Sequence, residues 1–160
     1  MTVYILRHAI AEERREGHSD AERALTTAGK QKLHTVLRRA RQARVSPALI
    51  LTSPYKRALE TAEMAAEVLV CRRTPVITKT LLPSAAPDRA WREIAGSEAS
   101  SVLVSGHEPQ LSQLIAYLLK CFDLQLDLKK SALVWIDVSA TETRPHGTLK
   151  WILTPKLAGA

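Results

Sequence analysis

V-Y-I-L-R-H-A-I-A, residues 3–11, is the stretch on which the fold turns. Val3 to Leu6 run apolar without polar alternation and then stop at a cation and an imidazole. A short unbroken run of this composition suits a strand covered on both faces, as in a parallel α/β sheet. Arg7 and His8 then fall at the carboxyl end of that strand. That is the edge where open α/β sheets bind ligands, and a guanidinium beside a potential nucleophile suits a phosphate.

The same pattern recurs down the chain. Thr26 is placed as the N-cap of a helix to about Ala43 with Leu33, Val36, Leu37 and Ala40 on its apolar face. Ala48 to Leu51 read as a second strand. Ser53 as N-cap and Pro54 at the first helical position then predict a helix start. Arg57 follows in the first turn, where the helix dipole disfavours a cation unless an anion lies between. Ala58, Ala62, Ala65, Ala66 and Leu69 form a small-residue face. Pro75 to Thr78 predict a third strand, and a loop over 83–87 precedes a helix from Arg89 to Ala95 that ends at Gly96. S-V-L-V-S, residues 101–105, is a fourth apolar strand, and it runs into G-H-E-P with Pro109 opening a helix. Its Leu111, Leu114, Ile115 and Leu118 repeat at helical spacing. Ala132–Val138 and Thr148–Leu153 are two closely spaced final strands joined by a polar turn. The chain is therefore expected to form one domain over 1–160, a three-layer α/β/α sandwich with a mostly parallel sheet and an antiparallel pairing among the last strands.

Composition removes several function classes. The formal charge is +7, from 23 basic and 16 acidic residues, which raises nucleic-acid binding as a reading. Aromatics make up only 4% of the residues, too few to interleave with cations as a stacking surface for bases. Arg38, Arg39, Arg41 and Arg44 read as a solvated helix face, with attraction of an acidic protein as the alternative. Cys71 and Cys121 lie in no metal-binding pattern and are expected as reduced thiols. No run approaches a membrane span and no secretory segment opens the chain, so a cytoplasmic protein is expected.

Three strand-to-helix junctions thus bring Arg7, His8, Arg57 and His107 to one sheet edge. Two guanidinium groups can hold phosphoryl oxygens, one imidazole can attack phosphorus and the other can stabilise developing charge. Such a scheme calls for no metal or cofactor.

R-H-A at 7–9, S-P-Y-K-R-A-L-E-T-A at 53–62 and S-G-H-E-P at 105–109 resemble the three signatures of the histidine phosphatase superfamily. R-A-L-T-T-A-G at 23–29 and the short chain resemble its SixA-type branch of phosphohistidine phosphatases. The resemblance implies that His8 is the phospho-accepting nucleophile, with Arg7, Arg57 and His107 completing the phosphate pocket and Arg23 a further phosphate-binding candidate. It implies hydrolysis of phosphohistidine in a protein, for instance a histidine-phosphotransfer domain, with no nucleic acid or membrane as partner. Two departures stand out. Most members carry Gly where this chain has Ala9, and the acidic proton donor of many members has no evident counterpart, which leaves Asp88 and Glu108 as candidates. The alternatives are a small-molecule phosphomonoesterase or phosphoglycerate-mutase-like enzyme, and a phosphate-binding module without turnover.

Overall fold

The computed structural model describes residues 1–139 and 144–160. A six-stranded sheet, in the spatial order β3-β2-β4-β1-β5-β6, forms the middle layer. Its strands are β1 (Thr2–Arg7), β2 (Leu49–Thr52), β3 (Val76–Ile77), β4 (Ser101–Gly106), β5 (Leu133–Ser139) and β6 (His146–Leu153). β1, β2, β3 and β4 run parallel, while β5 is antiparallel to both β1 and β6. The predicted mostly parallel sheet with an antiparallel pairing at its end is what forms. The polar turn expected between the last two strands falls partly on residues 140–143, outside the described residues.

The apolar run of β1 is continuous because both of its faces are covered. Val3 and Ile5 join one core with Trp91, Ile94, Leu111, Leu114 and Leu118. Tyr4 and Leu6 join the other with Leu33, Val36, Leu37, Ala62 and Ala65. The first core belongs to α3 (Pro87–Gly96) and α4 (Gln110–Leu119), the second to α1 (Thr27–Gln42) and α2 (Lys56–Val68). Alternate side chains on a strand point to opposite faces, so neither helix layer could be removed without exposing half of β1. A short α5 (Pro155–Ala158), which the sequence pattern did not suggest, packs against α1.

Local signals held where nothing distant competed with them. Thr26 caps α1, its hydroxyl accepting from the Gly29 N–H at 3.0 Å. Ser53 does not cap α2: the helix begins at Lys56 with Tyr55 in the cap position and no side-chain cap bond. β3 is shorter than expected, only Val76–Ile77, and both residues are exposed at the sheet edge. Ala9 is fully buried and is not among the residues with positive φ, so the loop after β1 has no conformational need for glycine.

The connection from β1 passes over one face as α1, and the connection from the neighbouring β4 leaves on the other face as α4. Adjacent strands whose helices diverge open a crevice at their carboxyl ends. β1 delivers Arg7 and His8 to it, and β4 delivers His107.

Candidate active site

His8 and His107 face each other across this crevice with ring centroids 5.0 Å apart. The backbone holds the two strand ends together: the His8 N–H donates to Gly106 O at 3.0 Å, and Ser53 N donates to Ser105 O at 3.0 Å. Thr61, fully buried on α2, joins the loop to the helix. Its hydroxyl accepts from Ala9 N at 3.1 Å and donates to the Arg57 carbonyl at 2.7 Å.

The chemistry of His8 follows from one hydrogen bond. Its Nδ1 lies 2.7 Å from the Ala9 carbonyl oxygen. A carbonyl only accepts, so Nδ1 carries the hydrogen and Nε2 keeps its lone pair. Burial, set partly against that hydrogen bond and reinforced by the charges of Arg57, Arg7 and Lys130, pushes the imidazole pKa down to about 4. The ring is consequently neutral at physiological pH, with a lone pair on Nε2. His107, 2% exposed, is pushed down to about 3 by burial and then by His8 and Arg57. Its Nε2 lies 2.8 Å from Ser53 Oγ.

The two arginines are held from behind. Arg7 Nη1 donates to Leu128 O at 2.5 Å. The segment that supplies this carbonyl is pinned in turn, since the Ser131 N–H is shared between Arg7 O and His8 O. Arg57, 4% exposed, donates from Nη1 to Asp20 O at 2.7 Å and from Nη2 to Asp20 Oδ2 at 3.0 Å. Burying an unpaired guanidinium would cost several kcal/mol, so this pairing makes the position tenable. Burial alone would raise the Asp20 carboxyl, but the charge and hydrogen bond of Arg57, joined by those of Arg23, hold it below the usual carboxylate range. The Arg57 guanidinium also lies over the Tyr55 ring, 4.9 Å from its centroid.

Three of these residues keep a buried nitrogen with no hydrogen-bond partner: Arg7 Nε, Arg57 Nε and His107 Nδ1. Buried polar groups are satisfied in the great majority of cases. Gln110 Oε1 and Ser131 Oγ are also buried without a partner, but the three nitrogens are donors on residues at the carboxyl ends of β1 and β4 and the start of α2, unmet capacity of the kind that an anionic acceptor satisfies.

The other candidates are placed differently. Arg23 is committed to Asp20 Oδ1 at 2.9 Å and to Glu12 O at 2.8 Å, and so reaches the crevice through Asp20. Glu108 accepts from the N–H and hydroxyl of Ser112, tying down the first turn of α4. Asp88 forms an ion pair with Arg92 in a largely exposed position on α3. Asp20, Ser53 and Thr61 were not singled out for the site. Ser53 and Thr61 lie inside the quoted 53–62 motif, whereas Asp20 sits in a polar loop where nothing marks it.

A parallel sheet with two arginines and two histidines gathered at its switch-point crevice has the architecture of a phosphoryl-handling enzyme. The model of the histidine phosphatase superfamily (branch 1) matches residues 3–82, which is half of the chain. An uncharacterized protein of Picosynechococcus is 33% identical over 151 residues, covering 91% of this chain and 90% of its own length. The chain belongs to the histidine phosphatase superfamily, and it is a phosphatase. Its fold is of the SixA type. The protein histidine phosphatase SixA complexed with tungstate superposes with a TM-score of 0.84 at 24% identity, covering 98% of each chain. A SixA protein of Agrobacterium tumefaciens superposes with a TM-score of 0.83 at 25% identity, covering 96% of this chain and 97% of that one.

Proposed function

We propose that the protein hydrolyses phosphohistidine in a phosphoprotein, such as a histidine-phosphotransfer domain, through a phosphohistidine intermediate on His8 and without a metal. The observation that carries this reading is the set of orphaned nitrogens on Arg7, Arg57 and His107 around a neutral His8 whose Nε2 is unprotonated.

In the first step the Nε2 lone pair of His8 forms a bond to phosphorus as the substrate P–N bond breaks. With a proton on the other nitrogen of the substrate ring, the departing electron pair yields a neutral imidazole. Arg7, Arg57 and His107 hold the phosphoryl oxygens as charge shifts. In the second step water attacks phosphorus, the P–Nε2 bond returns its pair to His8, and both protons of the water leave with the product as dihydrogen phosphate. That the similar SixA protein is complexed with tungstate, a phosphate analogue, supports a phosphoryl group as the ligand class.

The placement of the carboxylates supports the choice of an N–P bond. Expelling an alkoxide calls for a general acid, a contribution of about 10²–10⁴-fold, and both Glu108 and Asp88 are occupied elsewhere. Imidazole, with a conjugate acid near ~6.5, needs no such help. Incubation with phosphohistidine, phosphotyrosine and sugar phosphates, with and without chelator, tests the proposal. We expect kcat/KM for phosphohistidine to exceed that for an alkyl phosphate by at least about 100-fold, unchanged by chelator. Comparable turnover of alkyl phosphates overturns the substrate assignment.

A further inference from the structure

We propose that Ser53 is a positioning residue: its hydroxyl donates to His107 Nε2 and so holds that ring in the Nδ1–H tautomer, leaving Nδ1–H to donate to a phosphoryl oxygen. The inference rests on the phosphoryl-pocket reading of the crevice.

Three observations lead to it. Ser53 is fully buried, and its hydroxyl lies 2.8 Å from His107 Nε2. The position was free to do this because Ser53 does not cap α2, which starts at Lys56. Among the described residues the hydroxyl otherwise takes part only in a long contact as acceptor, from Tyr55 N at 3.4 Å. The third observation is the buried, unpartnered Nδ1 on the other side of the same ring.

Hydrogen-bond bookkeeping chooses between the two tautomers. If Nε2–H donated to Ser53, the buried hydroxyl hydrogen would have no acceptor among the described residues. Nδ1 would then keep a buried, unpartnered lone pair, which an anion could not satisfy. In the opposite arrangement the hydroxyl hydrogen and Nε2 satisfy each other, and one group is left over, an N–H donor that an anion satisfies. Burial of His107, with His8 and Arg57 close by, keeps the ring neutral. A neutral imidazole has one donor only, so its placement decides whether the residue attracts or repels a phosphoryl oxygen.

Long-range proton–nitrogen NMR on 15N-histidine-labelled protein at pH 7 reads the tautomer directly, with no ligand and no variant. The expected result is a protonated Nδ1 and an unprotonated Nε2 on His107; the reverse overturns the proposal. Ser53→Ala should introduce the Nε2–H form and weaken orthovanadate binding by about 10-fold, the worth of roughly one hydrogen bond. Ser53→Thr, which keeps the hydroxyl, should restore both. An unchanged tautomer and unchanged vanadate affinity in Ser53→Ala remove Ser53 from the role. If wild-type protein fails to bind vanadate, the phosphoryl pocket falls and the donor role with it. That failure is recognisable because the tautomer is read without vanadate.

Discussion

Four arginines at the end of α1 and one at the start of α2 occupy opposite ends of two neighbouring helices, and they behave as different residues. At the end of α1, Arg38, Arg39, Arg41 and Arg44 are exposed, and Arg39 and Arg41 sit in the last turn, where a cation complements the helix dipole. None of the four has an ion-pair partner among the described residues, and none needs one. At the start of α2, Arg57 is buried in the first turn, against the dipole, and is tied to Asp20 through two hydrogen bonds. The first group contributes to the formal charge of +7 and to solubility. The second is a single cation placed where both burial and dipole oppose it, and the fold supplies an anion to hold it there. Burial and unmet hydrogen-bonding capacity set Arg57 apart from the solvating arginines; the net charge does not.

The strongest break of this contrast is removal of the imidazole proposed to react beside the buried cation. His8→Ala should abolish turnover and leave the fold intact, because this side chain, though buried, lies beyond the end of β1 and belongs to neither apolar core, and its backbone bond to Gly106 survives. Labelled phosphate should be trapped on the wild-type protein as an acid-labile, alkali-stable adduct. Label on a serine or cysteine, or full activity in the variant, would defeat the mechanism.

Arg57→Ala and Arg41→Ala set the two groups directly against each other. A charge-assisted bond to an anion is worth roughly 1.5–3 kcal/mol, so the Arg57 variant should lose about 10- to 100-fold in kcat/KM, mostly in kcat. Arg41→Ala should be neutral. Similar behaviour of the two against a small substrate would mean that the buried end has no special role.

Asp20→Asn sharpens the comparison. It leaves the bond from Arg57 to the Asp20 backbone carbonyl and removes one negative charge beside the pocket. At a separation of several ångströms and an intermediate effective dielectric, that charge is worth about 1 kcal/mol. Vanadate should therefore bind tighter by about 5-fold, as read by isothermal titration; weaker binding would show that Asp20 matters chiefly for holding Arg57 in place. Glu108→Gln and Asp88→Asn should change phosphohistidine turnover by less than about 2-fold, since one carboxylate ties down a helix start and the other is in an exposed pair. A collapse of activity in either would identify a proton donor.

Much of this protein was readable from its sequence. The short apolar runs at residues 3–6 and 102–104 suit strands covered on both faces, and the residues that follow them are Arg7, His8 and His107, which the fold brings to one edge. Arg57 was legible because a cation in a first helical turn is out of place without an anion. These are local properties, set by periodicity, dipole and the direction of a strand. Only the tertiary structure decided which anion Arg57 meets in the folded chain, since Asp20 lies 37 residues away in a polar loop without periodicity. It likewise took Ser53 from the cap its sequence context predicts and gave its hydroxyl to His107, 54 residues distant. A serine before a proline carries the same local signal whether its hydroxyl turns to the following helix or across the crevice. The choice falls to the partner that would otherwise be buried unsatisfied, and burial exists only once the sheet has closed.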